Sequence, residues 1–211
     1  MITAIEAFKR LKEGNARFAE HVAGNETFLH QTKKTELTKI QEPMAIILGC
    51  SDARVPAEMV FDQGLGDLFV IRVAGNIVAP SQVGSVEFAA SRFGTRLVVV
   101  LGHSECGAIL ATLEELQTPG SNNSRNLASI VDRVRPSVQP LLDDGIAADH
   151  AQLVKKAVRA NIRASTDHLR HGSRILEQLI LDEGLLVVGA EYSLETGTVD
   201  FFDGAPTMER K

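Results

Sequence analysis

The chain has 211 residues, 44% of them hydrophobic and 23% charged, with a formal net charge of −5. That length suits one globular domain, or one domain with a terminal arm. The mild acidity, with no basic block to offset it, argues against nucleic acid or an anionic membrane as a partner. A charge stands at Glu6, basic residues begin at Lys9, and no apolar signal core precedes them. The strongest apolar runs are four or five residues long, far short of the roughly 20 that span a bilayer. A soluble cytoplasmic protein is the expectation.

Residues 4–20 read as an amphipathic helix, with Ile5, Phe8, Leu11 and Phe18 near one face and Gly14 as its weak point. The polar stretch at 25–42 offers few core residues beyond Phe28 and Leu37. Residues 1–40 are therefore predicted to be a helical arm that packs on a second subunit, since a monomer would leave its stripe exposed. Residues 41–211 form the main domain. Within it, continuous apolar runs at 45–48, 68–71, 97–101 and 185–188 lack polar alternation. Such runs fit strands buried on both faces of a parallel sheet. Helical patterns lie at 81–93 and 106–117, followed by a loop at 119–126. Two further helices are predicted over 127–182 with a break near His171-Gly172, and a last strand at 198–202 after a turn at 195–197. The fold class is α/β, a mostly parallel central sheet flanked by helices, with an N-terminal helical arm.

In such sheets ligands bind beyond the carboxyl ends of the strands. Cys50 follows the first run, His103 follows the third, and Cys106 comes three residues later where a helix begins. Gly49 and Gly102 each precede a candidate ligand, where a small residue lets the backbone turn sharply. The two cysteines, the only ones in the chain, could be a disulfide, buried thiols, a nucleophile or metal ligands. Two thiolates and an imidazole also make a zinc-type set that leaves a fourth position open. The helix start favours the thiolate of Cys106, and Gly107 leaves space beside it. Asp52 and Arg54 stand next to Cys50 and could form a bidentate ion pair, or an ordinary loop salt bridge.

The blocks CSDARVPAE, DLFVIRVAGN, GSVEFA and GHSECGA, closing with VVGAEYSLETGTVDFF, resemble the β-class carbonic anhydrases, bacterial members included. The resemblance runs in order from about residue 4 to residue 202. It implies one Zn2+ per chain held by Cys50, His103 and Cys106 in a catalytic domain spanning 41–211, with Asp52 and Arg54 as the dyad beside it. It implies reversible hydration of CO2 to bicarbonate and a proton by hydroxide generated at zinc. Because two thiolates leave more charge on the metal than imidazoles would, activity is expected to climb above pH 7. The resemblance further implies a homo-oligomer, dimer or tetramer, and a closed state in which Asp52 occupies the fourth position.

Some members bind bicarbonate at a regulatory site of tryptophan, arginine and tyrosine. Arg72 and Tyr192 match the last two, but the chain has no tryptophan and Ile47 stands near that position. Gln63 matches a substrate-contacting glutamine of plant-like members, with spacing one residue off. Gly107 is a second substrate-side residue, and Val73 and Phe88 are wall candidates. The competing readings are a CS2 or COS hydrolase on the same scaffold, a non-catalytic zinc-binding homologue, and a cysteine-nucleophile enzyme pairing Cys50 with His103.

Overall fold

A computed structural model describes residues 2–24, 41–120, 124–143 and 149–207. Its strands are β1 (Ala45–Gly49), β2 (Leu68–Arg72), β3 (Leu97–His103), β4 (Leu186–Tyr192) and β5 (Val199–Asp203). They form one sheet in the order β2-β1-β3-β4-β5. The first four are mutually parallel and β5 pairs antiparallel with β4. Every residue of β1 and β3 is buried, which is why these segments read as unbroken apolar runs.

Side chains alternate across the sheet, so each strand feeds two cores. Ile46, Leu48, Val98 and Val100 point into one. It is covered by α3 (Pro80–Arg92), α4 (Gly107–Gln117), α5 (Arg125–Asp143), α6 (His150–His171) and α7 (Arg174–Glu183). Ala45, Ile47, Val99 and Leu101 point into the other, under α1 (Ala4–Gly24) and α2 (Ala57–Val60). No helix among the described residues is long and apolar enough to cross a membrane.

The described part of the predicted arm lies on the chain's own sheet. In α1, Ala4, Ala7, Phe8 and Leu11 are buried against the chain's own sheet, while Ile5, expected on the apolar face, is half exposed. Gly14 is the contact point: a Cβ there would stand 1.8 Å from the carbonyl oxygen of Phe61. The glycine costs helix propensity but permits the approach. Next to it, the buried Asn15 amide donates to the carbonyls of Val60 (3.0 Å) and Gly197 (2.9 Å) and accepts from Val199 N–H at 2.7 Å. The rest of the predicted arm, 25–40, lies outside the described residues.

Other boundaries moved as well. β4 was expected to stop at Gly189 but continues to Tyr192, because β3 runs beside it in register as far as His103. Three helices, not two, occupy the segment after residue 124, since Asp149 starts α6 by accepting from Gln152 N–H at 3.2 Å. The predicted break at His171-Gly172 is present, with Gly172 capping α6.

Candidate metal centre

The sheet changes direction between β1 and β3. From β1 the chain moves outward to β2, then returns to the other side of β1 as β3. The helices after β1 and β2 lie on opposite faces, which opens a crevice at the strand ends. Cys50, just past β1, and His103, the last residue of β3, flank that crevice. Ser104 and Glu105 form the turn, Glu105 with φ +55°, and deliver Cys106 to the N-cap of α4. Gly102 does not make a sharp turn, as it lies inside β3. A Cβ there would sit 2.6 Å from Ile162 of α6, so its role is helix approach. Around Gly107 there is open space, consistent with room beside the cluster.

Cys50 Sγ, His103 and Cys106 Sγ bring their ligand atoms within 4.8 Å of one another, all three residues buried. The two sulfurs are 3.9 Å apart as free thiols, so the disulfide alternative is not what the fold forms. His103 Nδ1 pairs with the Ser104 carbonyl at 2.8 Å. That fixes a tautomer with its proton on Nδ1 and a free lone pair on Nε2. Nε2 is fully buried with no hydrogen-bond partner. A metal ion would satisfy that orphaned nitrogen, and two thiols with one imidazole are a donor set that suits zinc.

The thiols titrate as a pair. Hydrogen bonding from Cys106 lowers Cys50 to about 4, burial opposing. The same hydrogen bond, then burial, pushes Cys106 far above an ordinary thiol. Burial is the largest influence on His103 and pulls it down, but the Cys50 sulfur, the Ser104 carbonyl and the Asp52 charge together leave the imidazole raised. One negative charge settles easily among these groups, and a second needs a cation.

Asp52 and Arg54 form the expected dyad. Arg54 Nε donates to Oδ1 at 2.9 Å and Nη2 to Oδ2 at 2.7 Å, with the Arg54 backbone N–H adding a third bond at 2.9 Å. This guanidinium, against some burial, holds the Asp52 carboxyl well below the usual carboxylate range. Asp52 Oδ2 lies 3.7 Å from His103 Nε2, so the carboxylate borders the position a metal would take. Arg54 also lines a cleft of about 630 Å³ between α6 and the ends of β3 and β4. A larger cleft of about 710 Å³ lies between α3, α5 and α6 and is lined by none of the cluster residues.

Arg72, which matches a regulatory arginine only by position, braces the neighbouring loop. Its Nε donates to the Cys50 carbonyl at 2.9 Å and its Nη2 reaches the Asp52 carbonyl at 2.5 Å. It ties the end of β2 to the loop that carries both Cys50 and the Asp52–Arg54 pair. Ile47 is fully buried in the core and Tyr192 nearly so. Gln63 turns its amide onto the Phe61 carbonyl at 2.7 Å, beneath α1. Val73 is half-buried against the main core and Phe88 is half exposed on α3.

A family model described as carbonic anhydrase matches residues 45–199. The chain is 37% identical over 198 residues to a carbonic anhydrase of Mycolicibacterium smegmatis, covering 93% of this chain and 92% of that one. It is 36% identical over 195 residues to carbonic anhydrase 2 of Mycobacterium tuberculosis, covering 92% and 90%. Its fold superposes on a tetrameric β-carbonic anhydrase of the ascomycete Sordaria macrospora with a TM-score of 0.73, at 22% identity over 93% of this chain and 96% of the other. With a family match running from the first residue of β1 to the first of β5, the chain belongs to the carbonic anhydrases, in their β class, and is an enzyme of that kind.

Proposed function

We propose that the chain hydrates CO2 reversibly to bicarbonate and a proton, using one Zn2+ per chain held by Cys50, His103 and Cys106. The observation that carries this reading is the orphaned His103 Nε2 facing two thiol sulfurs, with a locked carboxylate 3.7 Å away. When bound there, zinc would supply a Lewis acid that brings a water's pKa from near 16 to about 7.

The remaining work falls to the chain's own groups. Asp52, ionised and bonded to Arg54 through both oxygens, can only accept hydrogen bonds. It would take the proton side of the attacking oxygen at Oδ2 and turn that oxygen's lone pair toward the carbon of CO2. Arg54 keeps the carboxylate from swinging, and Arg72 keeps the loop beneath it in place. The open space at Gly107 suits a small linear substrate beside the cluster. The reaction consumes CO2 and water and yields bicarbonate and a proton, which leaves to solvent.

We also infer a homo-oligomer. β2 stands at the edge of the sheet, and Phe69, Phe88 and Phe93 gather beside it with Phe88 exposed. The free thiols fit a reducing cytoplasm. Stopped-flow CO2 hydration with a pH indicator, at about pH 7 and about pH 8.5 on protein of known zinc content, tests the central reading. One zinc per chain with activity rising toward the higher pH is the expected result. Full zinc with no hydration at either pH would defeat it.

A further inference from the structure

Cys50 is also held from a side its own motif does not supply. Its sulfur accepts the Gly75 backbone N–H at 3.4 Å. Gly75 and Asn76 belong to a 3-10 turn, Ala74–Asn76, and take φ values of +71° and +43° in succession. Two left-handed residues in a row persist only where their surroundings hold them.

The hold comes from α6. Asn161 Nδ2 donates to the Gly75 carbonyl at 2.8 Å, and one helical turn later Ser165 Oγ donates to the Asn76 carbonyl at 3.0 Å. Both side chains are buried, Asn161 being 2% and Ser165 5% exposed. On the opposite side, a Cβ on Gly75 would stand 3.1 Å from Ala108 of α4. Val73 N–H is tied to the Gly49 carbonyl at 3.0 Å. With both flanks pinned, the Gly75 N–H has one direction left, toward the sulfur.

We propose that Asn161 and Ser165 are positioning residues for the metal centre. They lock the 74–76 turn so that the Gly75 N–H donates to the Cys50 thiolate and trims the charge that sulfur lends to a bound metal. Outer partners of metal ligands tune the metal in this way. The inference rests on the zinc reading above. Thr166, the neighbouring buried hydroxyl, bonds the Ile162 carbonyl and Asp203 instead, which makes it the control.

The test uses full-length protein loaded with 113Cd for NMR and with Zn2+ for chelator-driven release. In the wild type the Gly75 amide proton should show coupling to 113Cd through the sulfur. Asn161→Leu should lose that coupling and release zinc about tenfold faster. Ser165→Ala should move both readouts in the same direction, and Thr166→Val should move neither. Wild-type coupling and release rates in Asn161→Leu overturn the proposal, as does an equal loss in Thr166→Val. Should Asn161→Leu fail to fold, unchanged coupling and release in Ser165→Ala overturn it instead. A wild-type chain that takes up neither metal defeats the zinc reading and this inference with it. A loaded wild type with insensitive variants defeats the inference alone.

Discussion

Asp52 is held by three hydrogen bonds from one neighbour, two from the guanidinium and one from the backbone of Arg54. That arrangement keeps it ionised and pointed, and an amide could not do the same, because one of its two faces donates. Asp52→Asn should therefore lower the hydration rate by about 100-fold with zinc content unchanged, since the ligands are untouched. Stopped-flow assay beside metal analysis checks this, and wild-type turnover in the variant would remove Asp52 from the mechanism. The thiols make a separate forecast for the metal-free chain. Cys50, lowered to about 4, is a thiolate at neutral pH, while Cys106, raised by the same hydrogen bond, keeps its proton. Ultraviolet thiolate absorbance should thus report one thiolate per chain near pH 7, fading as acid brings the pH down through about 4. Cys50→Ser should abolish it. Two thiolates, or none, would mean that the pair does not share charge as its geometry requires.

At the scale of elements, α1 is the least expected result and the easiest to perturb. Its docking depends on a missing side chain at Gly14 and three bonds at Asn15. Gly14→Ala forces a methyl into the Phe61 carbonyl and should cost about 1–3 kcal/mol, the usual range for overpacking. Asn15→Ala leaves two buried carbonyls and a partly buried N–H short of a partner, for about 1–3 kcal/mol. Ile5→Ala on the exposed face should change little. Urea midpoints of the three variants measure this, and equal midpoints for Gly14→Ala and wild type would show that α1 does not seat there. Sequence periodicity found the helix but not its partner, because Gly14 and Asn15 look like weak points in an apolar stripe. The same blindness hid α6's contribution. Asn161 and Ser165 interrupt the buried stripe of Leu153, Ala157, Val158, Ile162 and Leu169. A polar residue on such a stripe needs a buried partner, and that rule flags the position without saying what it bonds.

For the molecule as a whole, the Cys50–His103–Cys106 cluster and the Asp52–Arg54 pair were legible because local motifs carry them, and the parallel sheet because double burial removes polar alternation. Strand order was not: only pairing across sequence distance sets β2 on one side of β1 and β3 on the other. That order leaves β2 at the sheet edge with its outer backbone groups unpaired among the described strands. An open edge beside apolar surface invites uncontrolled pairing unless something covers it. Phe88 is 53% exposed and packs edge-on against Phe93, with Phe69 of β2 close to both. A second copy covering this face would bury the edge and the aromatics together. It would also brace Arg72, the last residue of β2, whose guanidinium secures the loop of Cys50 and Asp52. Phe88→Glu places a charge at the centre of that face, where desolvating it is costly. The sedimenting mass should then fall toward that of one chain at micromolar concentration, and hydration activity should fall with it as Arg72 loosens. An unchanged mass would clear this face of any part in assembly. A monomer with full activity would keep the interface but cut its link to the metal centre.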